Sequence, residues 1–105
     1  MVNKQYQIGR LAEYRAKKEL EKQDYYVERS AGSKGVADLI CWDINQFRLI
    51  QVKSAKKFTG WIPFLSKREI KEFEGIPTPM NCRKELWVWV SESRKWKKKI
   101  LMGFG

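Results

Sequence analysis

The sequence predicts an α/β fold in which helices flank a mixed β-sheet. One segment has the apolar periodicity of an amphipathic helix, a second has the capping signals of a helix, and five are predicted as strands, in the order α-β-β-β-α-β-β. The chain has 105 residues, which suffices for one core and leaves no room for a second domain. Residues 1–105 are therefore expected to form a single domain whose sheet is covered by the helices.

The first helix is predicted over residues 5–23, and Asn3 can cap its start. Its apolar residues recur at i, i+3 and i+4, the spacing that gathers side chains on one face. They are Ile8, Leu11, Ala12, Ala16 and Leu20. The second helix is predicted over residues 67–74, where Ser66 and Glu69 form a capping box. Each helix is expected to pack one face on the sheet.

Three strands are predicted between the helices, over residues 25–30, 36–42 and 46–53. A glycine-containing loop separates the first two. The second strand is almost continuously apolar, as expected of a strand covered on both faces. Only a short turn joins it to the third, so these two strands should form a β-hairpin. Two further strands are predicted over residues 85–90 and 96–104.

The chain is strongly basic, with 22 Lys and Arg residues against 12 Asp and Glu and a formal net charge of +10. This charge favours a polyanionic partner, of which nucleic acid is the commonest. The hydrophobic fraction of 43% excludes a disordered basic tail. No apolar run is long enough to cross a membrane, and no apolar signal segment follows Met1. We therefore expect a soluble, intracellular protein of the cytoplasm that has no membrane partner.

Histidine is absent, and the only cysteines are Cys41 and Cys82. This excludes Ser-His-Asp and Cys-His catalysis within the chain, as well as zinc sites that need four Cys or His ligands. The remaining carboxylates, amides, amines and hydroxyls suit Mg²⁺, which prefers oxygen ligands. Both cysteines are expected to be reduced thiols, because no secretion signal precedes them.

Asp38 is the most informative residue, because a carboxylate within an apolar strand needs a compensating partner. A hairpin turn centred on residues 44–45 pairs positions whose numbers sum to 89, so Asp38 faces Gln51. Side chains alternate along a strand, and Lys53 therefore lies on the same face, one diagonal step from Asp38. The hairpin is thus expected to bring together an acid, an amide and an amine.

Asp38 and Gln51 can supply side-chain oxygens to a Mg²⁺ ion, and the Val52 carbonyl is nearby. Lys53 can hold or deprotonate a water, or neutralise charge that develops on a phosphate. The alternative is structural, with a buried Asp38–Lys53 ion pair and Gln51 as its hydrogen-bonding neighbour. The pattern of residues leaves both interpretations open.

Two further features border this group. Glu13 lies at the rim of the apolar helix face, where it can reach the sheet, or it can form a surface pair with Lys17 one turn later. The segment 29–35 combines hydroxyls, cations and two glycines, which let backbone amides approach a phosphate. Alternatively, this segment is an ordinary solvated loop.

Other basic and aromatic residues suggest binding surfaces. Lys56, Lys57 and the basic run 94–99 are expected to contact phosphates, although such runs are often solvated faces. Trp61 lies in a predicted loop, where it can stack on a base. Several apolar residues exceed what a small core needs, which favours a homodimer. They are Trp87, Trp89, Ile100, Leu101, Met102 and Phe104.

The arrangement of these residues resembles the PD-(D/E)XK nuclease superfamily and, within it, the archaeal-type Holliday junction resolvases, often called Hjc. The shared order is Glu13 on the first helix, the run Arg-Ser-Ala-Gly-Ser-Lys at residues 29–34, Asp38, and Gln51-Val52-Lys53. The run before the acidic strand is the specific part of the likeness. The likeness covers most of the chain, over residues 9–21, 27–40 and 67–77.

The resemblance implies a restriction-endonuclease-like fold and a homodimeric, Mg²⁺-dependent endonuclease that makes paired, symmetric nicks across a four-way DNA junction. Mn²⁺ also accepts oxygen ligands. The implied catalytic residues are Glu13, Ser33, Asp38, Gln51 and Lys53. The implied metal ligands are Asp38, Gln51, the Val52 carbonyl and Glu13. With the basic residues above, the expected DNA contacts are Arg10, Arg29, Ser30, Lys34, Lys56 and Lys57.

Two positions depart from the family's pattern. Gln51 stands where these enzymes usually have Glu, which removes a negative charge and should weaken metal binding. Tyr14 stands where relatives can have Arg, so one phosphate contact is lost or is supplied by Arg10 or Arg15. The alternatives are a repair, restriction or transposition-type nuclease of the same superfamily that acts on duplex or flap DNA, and a non-catalytic nucleic-acid-binding module whose Gln51 marks a lost active site.

Overall fold

The computed structural model describes residues 4–30, 37–64 and 67–102. Its helices and strands follow the predicted order, with one additional 3₁₀ turn. In chain order they are α1 (Lys4–Lys22), β1 (Tyr26–Arg29), β2 (Leu39–Trp42), β3 (Phe47–Ala55), the 3₁₀ turn (Ile62–Phe64), α2 (Lys67–Glu74), β4 (Cys82–Val90) and β5 (Lys95–Met102). The predicted α/β fold is confirmed.

The predicted boundaries agree closely with those of the structure. Helix α2 has the predicted bounds, whereas β4 begins at Cys82 rather than at residue 85, because it pairs with β3 along its whole length. The predicted caps Asn3 and Ser66 lie outside the described residues, as do residues 103–104 of the last predicted strand. Within the described ranges, neither helix is both long and apolar enough to cross a membrane.

The strands form one sheet in the order β1-β2-β3-β4-β5. Neighbouring strands are antiparallel except for β3 and β4, which are parallel and are connected through α2. The β2–β3 hairpin has the predicted register, with Leu39 opposite Ile50. The pairing continues to Asp38, whose N–H donates to the Ile50 carbonyl (2.9 Å). Asp38 therefore lies at the level of Gln51, as the register predicted.

Helix α1 covers one face of the sheet, here called the α1 face. Ala12, Ala16 and Leu20 are buried there, and the small alanine side chains let the helix approach the strands. The strand residues below them are Val27, Leu39, Cys41, Ile50, Val52 and Trp87. The prediction that Ile8 and Leu11 share this buried face is wrong, since they are 44% and 62% exposed. Ile8 lies one turn before Ala12, so the helix has passed beyond the sheet at that point.

Helix α2 covers part of the opposite face, here called the α2 face. Its Phe73 is completely buried and packs with Leu49 of β3. Lys84 is also buried, and its Nζ donates to the carbonyls of Glu74 (2.8 Å) and Ile76 (2.7 Å). These bonds satisfy carbonyls that the end of a helix leaves free. One amine thus attaches the end of α2 to β4.

Two tryptophans lie in places that the sequence did not predict. Trp87 is completely buried under α1, so it supplies none of the apolar surface that favoured a dimer. Trp61 packs edge to face with Phe58 (5.0 Å between ring centroids) beside a cluster on β4 and remains partly exposed, so base stacking by this ring stays a prediction. Trp87 is buried because β4 is covered by α1 on the face that carries this residue.

Cys41 and Cys82 are buried free thiols, as predicted. Burial raises the pKa of Cys41 to about 12, which keeps this thiol protonated at neutral pH. Both side chains therefore act as small core residues.

Candidate active site

A group of polar side chains lies on the α2 face, where β2 and β3 meet α2. Gln51 and Lys53 alternate along β3 with residues that face α1, so their side chains lie on the α2 face. Asp38 lies beside them at the level of Gln51, and Glu69 belongs to the first turn of α2. The structure thus brings together the acid, the amide and the amine, and adds a second acid.

The Asp38 carboxylate is half-buried, and its Oδ2 accepts a hydrogen bond from the Val52 backbone N–H (2.7 Å). Burial raises the pKa of Asp38 to about 6, against the opposing effect of this hydrogen bond. The charges of Glu13 and Glu69 raise the pKa further, and the charge of Lys53 lowers it. The negative charge of Asp38 is therefore incompletely compensated, a condition that a bound cation would relieve.

Gln51 is only 4% exposed, and its two amide atoms have different surroundings. Its Nε2 lies 3.5 Å from Glu69 Oε2, at the outer limit of a hydrogen bond. Its Oε1 is buried and has no hydrogen-bond partner among the described residues. An unpaired buried acceptor costs about 1–3 kcal/mol, and a cation or an ordered water would satisfy it. This atom is the strongest indication of a ligand at the site.

Lys53 contacts the second acid of the group. Its Nζ lies 3.3 Å from Glu69 Oε2, and both side chains are partly exposed. Among the described residues Lys53 forms no ion pair with Asp38, which it influences through its charge alone. The structural alternative of a buried Asp38–Lys53 pair is therefore not observed.

Glu69 is the site residue that sequence reasoning missed, because the sequence suggested a capping role for it. The signal that could have found it is its spacing from Phe73. The two residues are one helical turn apart, so the face that buries Phe73 also brings Glu69 to the sheet. The expected capping box involves Ser66 and lies outside the described residues.

Glu13 reaches the edge of the group from α1. Its Oε1 accepts a hydrogen bond from Arg29 Nε (2.9 Å), and both side chains are about one-fifth exposed. This pair replaces the surface pair with Lys17 that the helix spacing allowed. The Arg29 guanidinium also lies over the Tyr14 ring, 5.1 Å from its centroid. Glu13 is close enough to raise the pKa of Asp38, and Arg29 holds it in position.

The oxygen atoms of this group fit a hard divalent cation such as Mg²⁺. Asp38 and Gln51 offer a carboxylate and an unpaired amide oxygen. The Val52 side chain packs under α1, so only its main chain reaches the group. No three Cys, Asp or Glu residues of the described ranges converge as metal ligands. A cation here would therefore depend on amide and carbonyl oxygens as well as on Asp38.

Only some of the other predicted site residues belong to the described part of the chain. Arg10, Lys56 and Lys57 are exposed, and the two lysines directly follow β3. The Ser30 N–H donates to the Asp38 carbonyl (2.9 Å), which ties the segment after β1 to the site. The predicted residues outside the described ranges are Ser33 and Lys34.

The mixed sheet and its two helices form a restriction-endonuclease-like fold, as expected. A solved structure with this fold is that of Hjc, a Holliday junction resolvase from the archaeal hyperthermophile Archaeoglobus fulgidus. The TM-score is 0.72 at 18% sequence identity, and the match covers 89% of this chain and 72% of that chain. No protein-family model and no curated protein sequence matches the chain. The Hjc-like fold that the sequence predicted is confirmed.

Proposed function

We propose that this protein is a metal-dependent, structure-selective DNA endonuclease that resolves four-way junctions by paired, symmetric nicks. The observation that carries the proposal is the unpaired, buried Gln51 Oε1 beside the half-buried Asp38 carboxylate, with the Lys53 amine on the same face. The net charge of +10 supports a nucleic-acid substrate, and the Hjc-like fold supports a junction.

A Mg²⁺ or Mn²⁺ ion would be held by Asp38, Gln51 and the Val52 carbonyl, with Glu13 at its edge. When bound, such an ion would act as a Lewis acid and would stabilise negative charge on the scissile phosphate. Lys53 positions the attacking water or offsets charge that develops on a phosphate oxygen. Because Gln51 is buried, bulk water is excluded from its side of the proposed ion.

The DNA contacts that we propose are basic or hydroxyl residues outside the catalytic group. They are Arg10, Arg29, Ser30, Lys34, Lys56 and Lys57. Contacts of this kind read the position of the backbone rather than the bases, so binding should depend on junction shape and on salt. Ser33 is proposed to act in catalysis.

Two symmetric nicks require two active sites, which a two-fold homodimer provides. With Trp87 buried, the apolar surface available for dimer formation includes Ile100 and Met102 of β5, each 44% exposed. A register shift separates them, since Ile100 lies opposite Glu85 and Met102 lies opposite Lys84.

A direct test incubates the protein with labelled four-way junction, linear duplex and flap DNA, with Mg²⁺, with Mn²⁺ and with a chelator. We expect two symmetric nicks in the junction, little cutting of the other substrates and none with the chelator. Preferential cutting of the duplex or flap would favour another nuclease of the superfamily.

A second candidate function is a non-catalytic nucleic-acid-binding module, and the observation that favours it is Gln51 itself. Because Gln51 is an amide, it adds no negative charge to the site. Among the described residues, Glu13 is paired with Arg29 and Glu69 with Lys53, so Asp38 is the one site carboxylate that has no arginine or lysine partner. Junction binding without any metal-dependent nick would support this alternative.

A further inference from the structure

A second basic feature lies away from the candidate active site, between α1 and the end of the sheet formed by β4 and β5. It is an open groove of about 780 Å³. Six cations, one carboxylate and two tryptophans line it. They are Arg15, Lys18, Lys22, Arg94, Lys95, Lys98, Glu19, Trp89 and Trp96.

The positive charge of this groove is largely uncompensated within the protein. Glu19, the one carboxylate among the described lining residues, is already paired with Lys98 (3.4 Å). The other five cations form no ion pair among the described residues. Like charges at this density repel one another, and an anionic ligand with several charges relieves that repulsion.

The backbone at Arg94 is a second, independent observation. This residue ends the turn between β4 and β5 with φ = 55°, in the left-handed region that favours glycine or asparagine. An arginine there costs backbone energy that Asn would avoid. The residue at this position is one of the cations that line the groove.

The shape of the groove favours DNA over a lipid surface. Trp89 and Trp96 are half-buried and pack edge to face (5.2 Å between ring centroids), and Arg15 lies 4.2 Å above the Trp89 ring. The aromatic rings are therefore partly covered, whereas all six cations of the groove are exposed. A membrane-binding face would instead expose its large apolar residues.

The groove and the candidate active site lie on opposite faces of the sheet and near the same end of it. Trp89 pairs with Ser54, the residue after Lys53, and side chains alternate between the faces. A straight duplex in contact with Lys53 is therefore on the wrong side of the sheet to enter the groove. The arms of a branched DNA diverge, so that a second arm can reach it.

We propose that this groove binds the phosphodiester backbone of a DNA arm that does not enter the active site. The conclusion that the bound polyanion is DNA rests on the proposed function. The conclusion that the groove binds a polyanion rests on the charge of the groove alone. The groove then contributes more to the affinity for a four-way junction than to the affinity for linear duplex.

The test compares two variants that lose the same charge. Lys18→Gln with Lys22→Gln removes two groove cations from exposed helical positions, where Gln is an equally good helix former. The control, Lys17→Gln with Lys71→Gln, removes two helical cations that neither line the groove nor belong to the proposed DNA contacts. Binding of a labelled junction and of duplex DNA is measured by fluorescence anisotropy between 50 and 200 mM salt (roughly the range in which phosphate contacts weaken), with a chelator to prevent cutting.

We expect the groove variant to bind the junction roughly 10- to 30-fold more weakly near 150 mM salt, with a salt slope reduced by about 1.8 for two lost phosphate contacts. Duplex binding should change less, and the control should change junction binding by less than about threefold. Equal losses in the two variants would overturn the proposal, because only total charge would then matter. Loss of binding to anionic vesicles but not to DNA would overturn it as well.

A third variant, Arg94→Asn, separates the groove from the stability of the fold. We expect weaker junction binding together with an unchanged or higher melting temperature, since Asn tolerates the left-handed backbone. If the wild-type protein cuts no DNA and the groove variant still loses junction binding, the proposed function fails and the groove stands. If the junction is cut and the groove variant binds normally, only the groove proposal fails.

Discussion

Two groups of buried polar residues lie on opposite faces of β3, and they differ in how completely their atoms are paired. On the α1 face, Arg48 donates two hydrogen bonds to Glu85, and the Trp87 indole donates to the same carboxylate (3.0 Å). On the α2 face, Gln51 Oε1 is buried and unpaired among the described residues. The completely paired group stabilises the fold, and the incompletely paired one can take a ligand.

The two carboxyl groups show the difference most clearly, because burial alone would raise the pKa of either one. At Glu85, hydrogen bonds from Arg48 and Trp87 and the charges of Arg48 and Arg83 outweigh burial, and they hold the pKa below its ordinary value of 4.5. At Asp38 burial prevails, and the pKa rises to about 6. The decisive difference is a cation in direct contact with Glu85.

Asp38→Asn is expected to have the largest effect of any change in either group. The substitution keeps the size of the side chain and an acceptor for the Val52 N–H, but it removes the charge that would hold the metal ion. Cleavage of a labelled junction should fall by about 1,000-fold, whereas junction affinity should change by less than about threefold. The matched control is Asp24→Asn at an exposed turn, where Asn tolerates the φ of 66°. An unchanged cleavage rate in the Asp38 variant would show that the metal site is elsewhere.

Arg48→Met is expected to have the next largest effect, and it acts on stability. It leaves the Glu85 carboxylate buried without its main partner, which costs about 3–5 kcal/mol of unfolding free energy. Adding Glu85→Leu should restore much of the loss, because both charges are then replaced by apolar groups. Urea unfolding measures both variants. A loss below about 1 kcal/mol in the single variant would mean that the pair does not stabilise the fold.

Gln51→Glu adds a carboxylate to the group on the α2 face, which is then even less completely paired than the Arg48–Glu85 group on the α1 face. A second carboxylate should raise the affinity for Mg²⁺ by about tenfold, since one more charge faces the cation. Without metal the same carboxylate is buried beside Asp38, so the unfolding free energy should fall by about 1–3 kcal/mol. Mg²⁺ titrations of cleavage and of melting temperature measure both effects. Cleavage that appears only in this variant would identify the natural protein as a binding module.

The smallest expected effect concerns pH. The folded-state pKa of Glu85 lies below its unfolded value, so its contribution to stability is complete above about pH 4.5 and is lost as the pH falls through the folded pKa. Urea unfolding from pH 6 to pH 3 should therefore show a decline in unfolding free energy that is weaker in Glu85→Gln. The same slope in both proteins would assign the acid sensitivity to other carboxyl groups.

The sequence predicted the hairpin and its polar face because these depend on local relations. A short turn fixes the register, and the register fixes that Asp38, Gln51 and Lys53 share one face. The bounds of α2 were equally local, since they follow from capping residues at its start and from Gly75 directly after its end. The predicted order of elements then led to the observed sheet.

What the sequence did not show depends on contacts between distant segments. Arg48 and Glu85 meet only because β3 and β4 are parallel neighbours, and the sequence does not specify that pairing. Trp87 was expected on the surface, because nothing in its own strand shows that α1 covers it. The groove beside Trp89 and the approach of Glu69 to Lys53 likewise arise from packing between elements.

The attachment of α2 by Lys84 has a consequence for access to the site. A helix of eight residues is too short to persist by itself in water, so α2 depends on Phe73 and on the Lys84 amine for its hold on the sheet. Local opening should therefore release α2 while the central strands stay paired, and its amides should exchange with deuterium sooner than those of β3 and β4. Helix α2, which carries Glu69, is thus the part of the candidate active site that can open while the rest of the protein stays folded.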